Sequence, residues 1–425
     1  MSRGPLKVLL VPLGSRGDVQ PQLVLGQELK RRGHAVTVAA PPDFRGLAAE
    51  YELPFSPVGE PIGPFIRRNS DMTERHPVVA LPGQIKLVQG YIAEQVHDLF
   101  AARHEPDIIV AAGLSFAAKV LADKLGVPHV FCCYSLSAMH SSAHPPAVLP
   151  VFGMPRLVNR ALWAGLTTLF DNTLGATVNR FRKQVGLPGH RTSWLAIHGA
   201  QVMLAQDQVM GDLPPDVPGH NVHVPALVPR ADRARPLSDL LERFLRGGGD
   251  GSSAASPVVY LGFGSMPSLD RARVVRIATE LFEQHGARVV LFSSHGEEAG
   301  VELPAGVFAC GDEDHASLFP RVDLIVHHGG AGTTAAALRS GVPQLIVPHI
   351  VDQFFHGRRV AELGLGPPPV PKAQLSAAVI ADALKQRFNF WAKAQAIRAQ
   401  LALDGGAAQA AAHLEELAAS HRASF

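Results

Sequence analysis

The chain has 425 residues, 47% of them apolar and 18% charged, with a formal net charge of +2. This length predicts two domains of roughly 200 residues each, and the composition excludes a disordered chain. A charge so near zero leaves no basis for a nucleic-acid partner, so any acidic ligand has to be handled by local groups.

The first apolar run, Val8–Leu13, is shorter than a membrane span and leads into Gly14-Ser15-Arg16-Gly17-Asp18 with no small-residue cleavage pattern. It is expected to be a buried strand, Lys7–Leu13, and not a signal peptide. Further strands are predicted over Ala35–Ala39, Pro54–Val58, Asp107–Ala111 and His129–Cys133, with Val19–Arg32 and Phe116–Leu125 among the intervening helices. Apolar runs that are continuous rather than alternating belong to a sheet covered on both faces, hence to a parallel, doubly wound α/β domain. Residues 60–100 and 134–200 read as irregular. Within them "AHPPAVLPVFGMPRLVNRALWAGLTTLF" (143–170) is the more apolar, and reads either as a wall for a lipophilic ligand or as packing of extra helices.

The proline-rich Val224–Pro236 is the expected interdomain linker, and Gly247–Ser256, after a helix over Leu237–Arg246, the expected surface loop. The same α/β plan then repeats. Strands are predicted over Val258–Gly262, Ala287–Phe292, Val307–Cys310, Asp323–Val326 and Gln344–Val347, with helices over Asp270–Gln284, Thr333–Ser340 and Gln353–Leu363. The expected domains are therefore 1–230 and 231–404, two Rossmann-like halves implying a cleft between them. By fold-level analogy, 405–425 is expected to be a helix returning to the first domain. Cys132, Cys133 and Cys310 are too few and too badly spaced for a disulfide framework or a zinc site, which fits a reducing cytoplasm.

The densest signal is "VHHGGAGTTAA" (326–336): a strand, two histidines, a glycine-rich turn and the start of a helix. Such a turn places free backbone N–H groups and the positive end of a helix dipole at the carboxyl edge of a sheet, which suits a phosphate. Gly330 to Ala335 also satisfies G-x-G-x-x-A, with Asp352 twenty residues after Gly332, so an NAD(P)-dependent oxidoreductase is an alternative. Strand side chains alternate, so His327 and His328 should face opposite ways. His328, beside the turn, is the candidate donor to a diphosphate, and His327 the candidate packing residue. A second small-residue turn, Gly262-Phe263-Gly264-Ser265-Met266, ends the first strand of this half and offers the Ser265 hydroxyl.

Phe263-Gly264-Ser265-Met266, residues 311–367 and "GSRGDVQP" (14–21) together resemble nucleotide-sugar-dependent glycosyltransferases of the two-domain GT-B architecture. The resemblance is to the branch of sterol glucosyltransferases and vancomycin-type antibiotic glycosyltransferases, with a looser likeness to the rhamnolipid rhamnosyltransferase around "SLSAMHSSAHPP". It implies diphosphate contacts from His328, the backbone of Gly330 and Gly332, Thr333 and Ser265. It implies donor-sugar contacts from Asp352 and Gln353, whose side-by-side carboxylate and amide match adjacent hydroxyls; an ordinary helix N-cap at Asp352 is the competing reading. Ala336 stands where plant-type relatives carry a glutamate for the ribose, and His356 where the sterol branch carries a tryptophan.

In the antibiotic branch the aspartate matching Asp18 is the catalytic base. Displacement at an anomeric carbon has an oxocarbenium-like transition state, so a carboxylate can take the acceptor proton late without a high resting pKa. Placed in the loop between the first strand and helix, Asp18 could instead simply cap that helix. Asp312-Glu313-Asp314 forms a D-x-D string of the kind that holds a diphosphate-bound cation, but the phosphate site is already supplied with amides, imidazole and a helix dipole, so no metal is expected. His315 beside it is the candidate contact to the nucleotide base. The expected protein is an inverting, metal-independent hexosyltransferase of the cytoplasm, with no integral membrane segment. It would use a UDP-sugar or TDP-sugar as co-substrate, glucose being the leading sugar, with a lipophilic small-molecule acceptor and no other cofactor. A non-catalytic lipid or metabolite carrier on the same fold is the second alternative.

Overall fold

The structure is a computed structural model describing residues 4–64, 77–149, 151–192, 194, 197–230, 232, 234–247, 256–264, 270–293 and 303–423. The chain divides into two units, Met1–Val228 with Gly405–Phe425, and Pro229–Asp404.

The first unit is built on β1 (Lys7–Leu13), β2 (Ala35–Ala40), β3 (Phe55–Pro57), β4 (Ile108–Gly113), β5 (His129–Cys133), β6 (Gln201–Ala205) and β7 (His220–Val224). All pair in parallel, in the order β3-β2-β1-β4-β5-β6-β7. Parallel strands need crossovers, supplied among others by α1 (Arg16–Arg31), α2 (Arg45–Glu50), α3 (Pro77–Ala101), α4 (Ala118–Leu125), α5 (Arg156–Phe170) and α6 (Ala176–Gln184). Covered on both faces, β1 buries every residue from Val8 to Leu13. Among the described residues, the regions read as irregular thus contain the helices α3, α5 and α6. Pro82, Gly83 and Gly90 interrupt the helical signal of α3, and the long solvent face of α5 blurs its period.

The second unit carries β8 (Val258–Gly262), β9 (Arg288–Phe292), β10 (Val307–Cys310), β11 (Leu324–His327) and β12 (Gln344–Ile346) in the parallel order β10-β9-β8-β11-β12. Its helices include α7 (Asp239–Arg246), α8 (Arg271–His285), α9 (His315–Leu318), α10 (Ala331–Ser340), α11 (Gln353–Glu362), α12 (Ala377–Lys385) and α13 (Arg387–Arg398). Most of the loop expected over Gly247–Ser256 lies outside the described residues.

The last helix, α14 (Ala407–Arg422), belongs to the first unit and puts Ala410, Ala411 and Leu414 into the core beneath α1. Glu415 accepts from both Arg32 (3.3 Å) and His34 (3.0 Å), and Arg422 pairs with Asp107 at 2.7 Å. Among the described residues no helix is long and apolar enough to cross a membrane.

Candidate active site

In each sheet the strand order reverses once, between β1 and β4 and between β8 and β11. The crevice beyond the carboxyl ends of such a pair is where open α/β sheets bind ligands.

At the first reversal, Leu13 lies opposite Gly113, and the chain passes through Gly14 to Ser15, the N-cap of α1. The helix starts earlier than the sequence pattern suggests, so Asp18 is its third residue and not a loop residue. Asp18 Oδ2 accepts the Ser15 N–H at 2.8 Å and the Ser15 hydroxyl at 3.1 Å, the reach-back half of a capping box. Capping therefore occurs, and it occupies one carboxylate oxygen. Two glycines make room for the group. A Cβ on Gly14 would collide with Oδ2, and one on Gly113 would stand 2.8 Å from both Cγ and Oδ1. The Tyr134 hydroxyl donates to the Asp18 carbonyl at 3.1 Å and accepts from Gln22 at 3.1 Å, fixing the first helical turn from below.

Beyond β5 the apolar stretch is neither wholly wall nor wholly packing. Helix α5 buries Asn159 and Trp163; Asn159 donates to the Ser142 carbonyl at 3.0 Å, and the Trp163 indole to the His144 carbonyl at 2.9 Å. The His140 ring stacks on Trp163 with centroids 4.8 Å apart, and burial lowers the proton affinity of both His140 and His144. Its other side is open, with Leu157 76% exposed and Val148, Leu149, Val151, Met154 and Val158 also exposed.

At the second reversal, His327 lies opposite Gly262, so the turns after β8 and β11 are neighbours. The two imidazoles diverge, with ring planes 83° apart. His327 is fully buried, donates from Nε2 to Gln344 at 3.0 Å and accepts the Gly329 N–H at Nδ1 (3.1 Å). Burial pushes it down to about 3, so it serves as a neutral strut. His356 grips the other side of the same glycine, its Nδ1 donating to the Gly329 carbonyl at 2.7 Å. Gly329 has φ of +89°, and a Cβ there would meet Ile346 at 2.8 Å. The turn is thus clamped between two histidines at a residue only glycine can fill. Nothing in the linear sequence marked His356 as that clamp beyond its place four residues after Asp352.

His328 lies between the turns after β8 and β11. Its ring is held between Gly264 and Gly330, where added Cβ atoms would come within 3.2 Å of Cε1 and 2.5 Å of Nε2. Burial lowers it to about 4, so it is neutral at neutral pH, and its Nδ1 is buried without a hydrogen-bond partner. Gly330 is the N-cap of α10, which places Gly332 and Thr333 in the first turn. The first intrahelical bond runs from the Thr334 N–H to the Gly330 carbonyl (2.9 Å), so the amides of residues 331–333 are the helix's outward donors. A side chain on Gly332 would meet nothing within 4 Å, leaving that end open. Ser265 lies outside the described residues.

After β12 the chain reaches Val351 with φ of +49°, a strained conformation for a β-branched residue. Asp352 is the N-cap of α11 by position, but its side chain makes no capping hydrogen bond. Its carboxylate lies 3.9 Å from His356 Nδ1; burial raises its proton affinity and His356 opposes the rise. Gln353 Oε1 accepts the N–H groups of His349 (2.8 Å) and Ile350 (3.1 Å). That oxygen is therefore spent on shaping the loop, and only the amide nitrogen is left for a ligand.

Two carboxylates of the D-x-D string are engaged within the fold. Asp314 caps α9 through the Ala316 N–H (2.7 Å) and also accepts the Arg235 N–H (2.9 Å), while Glu313 accepts the Ser238 hydroxyl at 2.6 Å. No group of three metal-ligating side chains occurs among the described residues. His315 stacks on Phe319 at 4.2 Å, and its Nε2 is 3.4 Å from the Tyr260 hydroxyl.

Residues 8–132 match the glycosyltransferase family 28 N-terminal domain, and residues 279–417 the erythromycin biosynthesis protein CIII-like C-terminal domain. The chain is 33% identical over 416 residues to glycosyltransferase GtfE of Amycolatopsis orientalis, covering 95% of this chain and 96% of the relative. It is 29% identical to sterol 3-beta-glucosyltransferase UGT80B1 of Arabidopsis thaliana, covering 89% of this chain and 62% of the relative. Among solved structures it is similar to glycosyltransferase VinC, described in complex with dTDP, with a TM-score of 0.68, 21% identity and coverage of 98% of this chain and all of the other.

Proposed function

We propose that this chain, which belongs to the glycosyltransferases of the vancomycin-antibiotic and sterol type, moves a hexose from a nucleoside diphosphate sugar to a hydroxyl of a lipophilic small molecule, with inversion at the anomeric carbon. The observation that carries the donor assignment is the open amino end of α10 beside the unpartnered Nδ1 of His328. Backbone N–H groups, a helix dipole and a neutral imidazole together suit a diphosphate. On this reading His328, Gly330, Gly332 and Thr333 hold the phosphates with Ser265. Asp352 and the amide nitrogen of Gln353 hold sugar hydroxyls, and His315 is the candidate contact to the base. No metal has a role in the scheme.

The acceptor is assigned to the first unit, where the open apolar side of α5 and the loop before it supports a lipophilic molecule. Asp18 is the proposed base. The acceptor oxygen forms its bond to the anomeric carbon as the bond from that carbon to the phosphate oxygen breaks. The electron pair leaves with the diphosphate, and the acceptor proton passes to Asp18. Glucose is the leading sugar, because the similar sterol enzyme is a glucosyltransferase by name. The dTDP complex of VinC makes a thymidine nucleotide as good a candidate as uridine. Three buried free cysteines support a reducing cytoplasm. Family membership sets aside the nicotinamide-dependent oxidoreductase.

A thermal-shift screen with UDP, TDP, their glucose conjugates and NAD tests the reading, since only ligands that favour the native state raise its melting temperature. A nucleoside diphosphate should do so and NAD should not. His328→Ala should weaken nucleotide binding by about 1.5–3 kcal/mol, the scale of a hydrogen bond to a charged group. A response to NAD alone would sink the proposal.

A further inference from the structure

We infer that His349 is a donor-binding residue that spans the junction of diphosphate and hexose. The inference rests on the second unit binding a nucleoside diphosphate sugar. Among the described residues of this unit, three imidazole nitrogens are buried without a hydrogen-bond partner: Nδ1 of His328 and both Nδ1 and Nε2 of His349. They share one turn. The His349 ring stands edge-on to Phe263 with centroids 5.6 Å apart, and the His328 ring lies against the next residue, Gly264.

The position of His349 is built. Its backbone N–H and that of Ile350 both donate to Gln353 Oε1, and the strained Val351 follows before Asp352. These bonds fix the backbone that carries His349 and leads on to Asp352. Burial lowers His349 to about 4, so the ring is neutral at neutral pH, with one donor and one acceptor nitrogen.

A buried polar atom without a partner destabilises a fold, and each such atom in a native protein needs a reason. Phenylalanine at 349 would fill the same space against Phe263 with no orphaned atom, so packing alone does not account for histidine. A phosphate offers only acceptors and satisfies the ring N–H alone. A sugar hydroxyl both donates and accepts. A ring with both nitrogens unpaired therefore matches the hexosyl-phosphate end of the donor, where phosphate oxygens and hydroxyls lie side by side.

The test uses the full chain with His349→Phe, His349→Gln and, in parallel, His328→Ala. Melting temperature is measured without ligand, and titration calorimetry is run with UDP, TDP, UDP-glucose and TDP-glucose. His349→Phe should melt at or above the wild-type temperature yet bind the nucleotide-sugar about tenfold more weakly, losing much less affinity for the free nucleoside diphosphate. His349→Gln, which restores a donor and an acceptor, should recover most of the loss. Wild-type affinity in His349→Phe would mean that ordered water satisfies the ring, and would overturn the inference. So would equal losses for both ligands, or a fall in melting temperature that tracks affinity and is not relieved by glutamine. Failure of the donor reading is separately visible: the wild type would then bind none of the four ligands, and both assignments would fall.

Discussion

A Cβ added to Gly113 would stand 2.8 Å from the carboxyl carbon of Asp18 and 2.5 Å from the Leu13 carbonyl oxygen. Gly113 ends one strand and Asp18 opens the helix after its neighbour, so the carboxylate has its place only because the adjacent strand ends without a side chain. Gly113 also has φ of +65°, which disfavours any other residue. Gly113→Ala should lower stability by roughly 1–3 kcal/mol and displace Asp18. Melting curves read beside kcat check this, with kcat falling further than the fraction folded.

Asp18→Asn separates capping from catalysis. Asparagine keeps an oxygen for the Ser15 N–H that Asp18 Oδ2 now accepts at 2.8 Å, so melting temperature and nucleotide affinity should hold. A general base contributes about 10²–10⁴ in rate, and that factor should vanish from turnover at saturating substrates. Turnover within a few-fold of wild type would place the base elsewhere, with His140 or His144 next to be tested.

On the proposed reading, Asp352 trades stability for a ligand. Its folded-state proton affinity is raised, so the stability its protonated form contributes is present below the unfolded value of 3.8 and is lost as pH rises through the folded value. At pH 7 the ionised carboxylate is a cost. Asp352→Asn should therefore melt at or above the wild-type temperature at pH 7, while its affinity for the nucleotide-sugar drops and that for the free nucleoside diphosphate stays. Equal losses for both ligands in calorimetry would count against a sugar contact.

Acid should loosen the second unit. His327, His328 and His349 are lowered to about 3, 4 and 4 from an ordinary 6.5. Below 6.5 the unfolded chain binds protons that the folded chain refuses, so this stability is complete above pH 6.5 and drains away as pH falls toward 4. Each group adds a slope of at most about 1.4 kcal/mol per pH unit. Urea midpoints at pH 7.5, 6 and 5 should fall steadily, and His349→Phe should flatten the decline by one group's share.

The linear order of residues by itself determined the two parallel α/β halves, the glycine-rich turn after β11, the place of His328 at its mouth, and the position of Asp18 just past β1. These are local matters: continuous apolar runs force a doubly covered sheet, and glycines beside a strand end force a turn. Period alone did not reveal α3, whose pattern is broken by proline and glycine, nor β6 and β7, which follow the long stretch read as irregular. Only the tertiary structure decided which neighbour each polar group would have. It set Gly113 beneath Asp18 and Gly264 against His328, clamped Gly329 between His327 and His356, committed Gln353 Oε1 to the loop, and left both nitrogens of His349 unpaired. Each of these contacts joins separate turns at a sheet edge. Which strands become neighbours depends on the free energy of burying the whole sheet, and no short stretch of sequence carries that information.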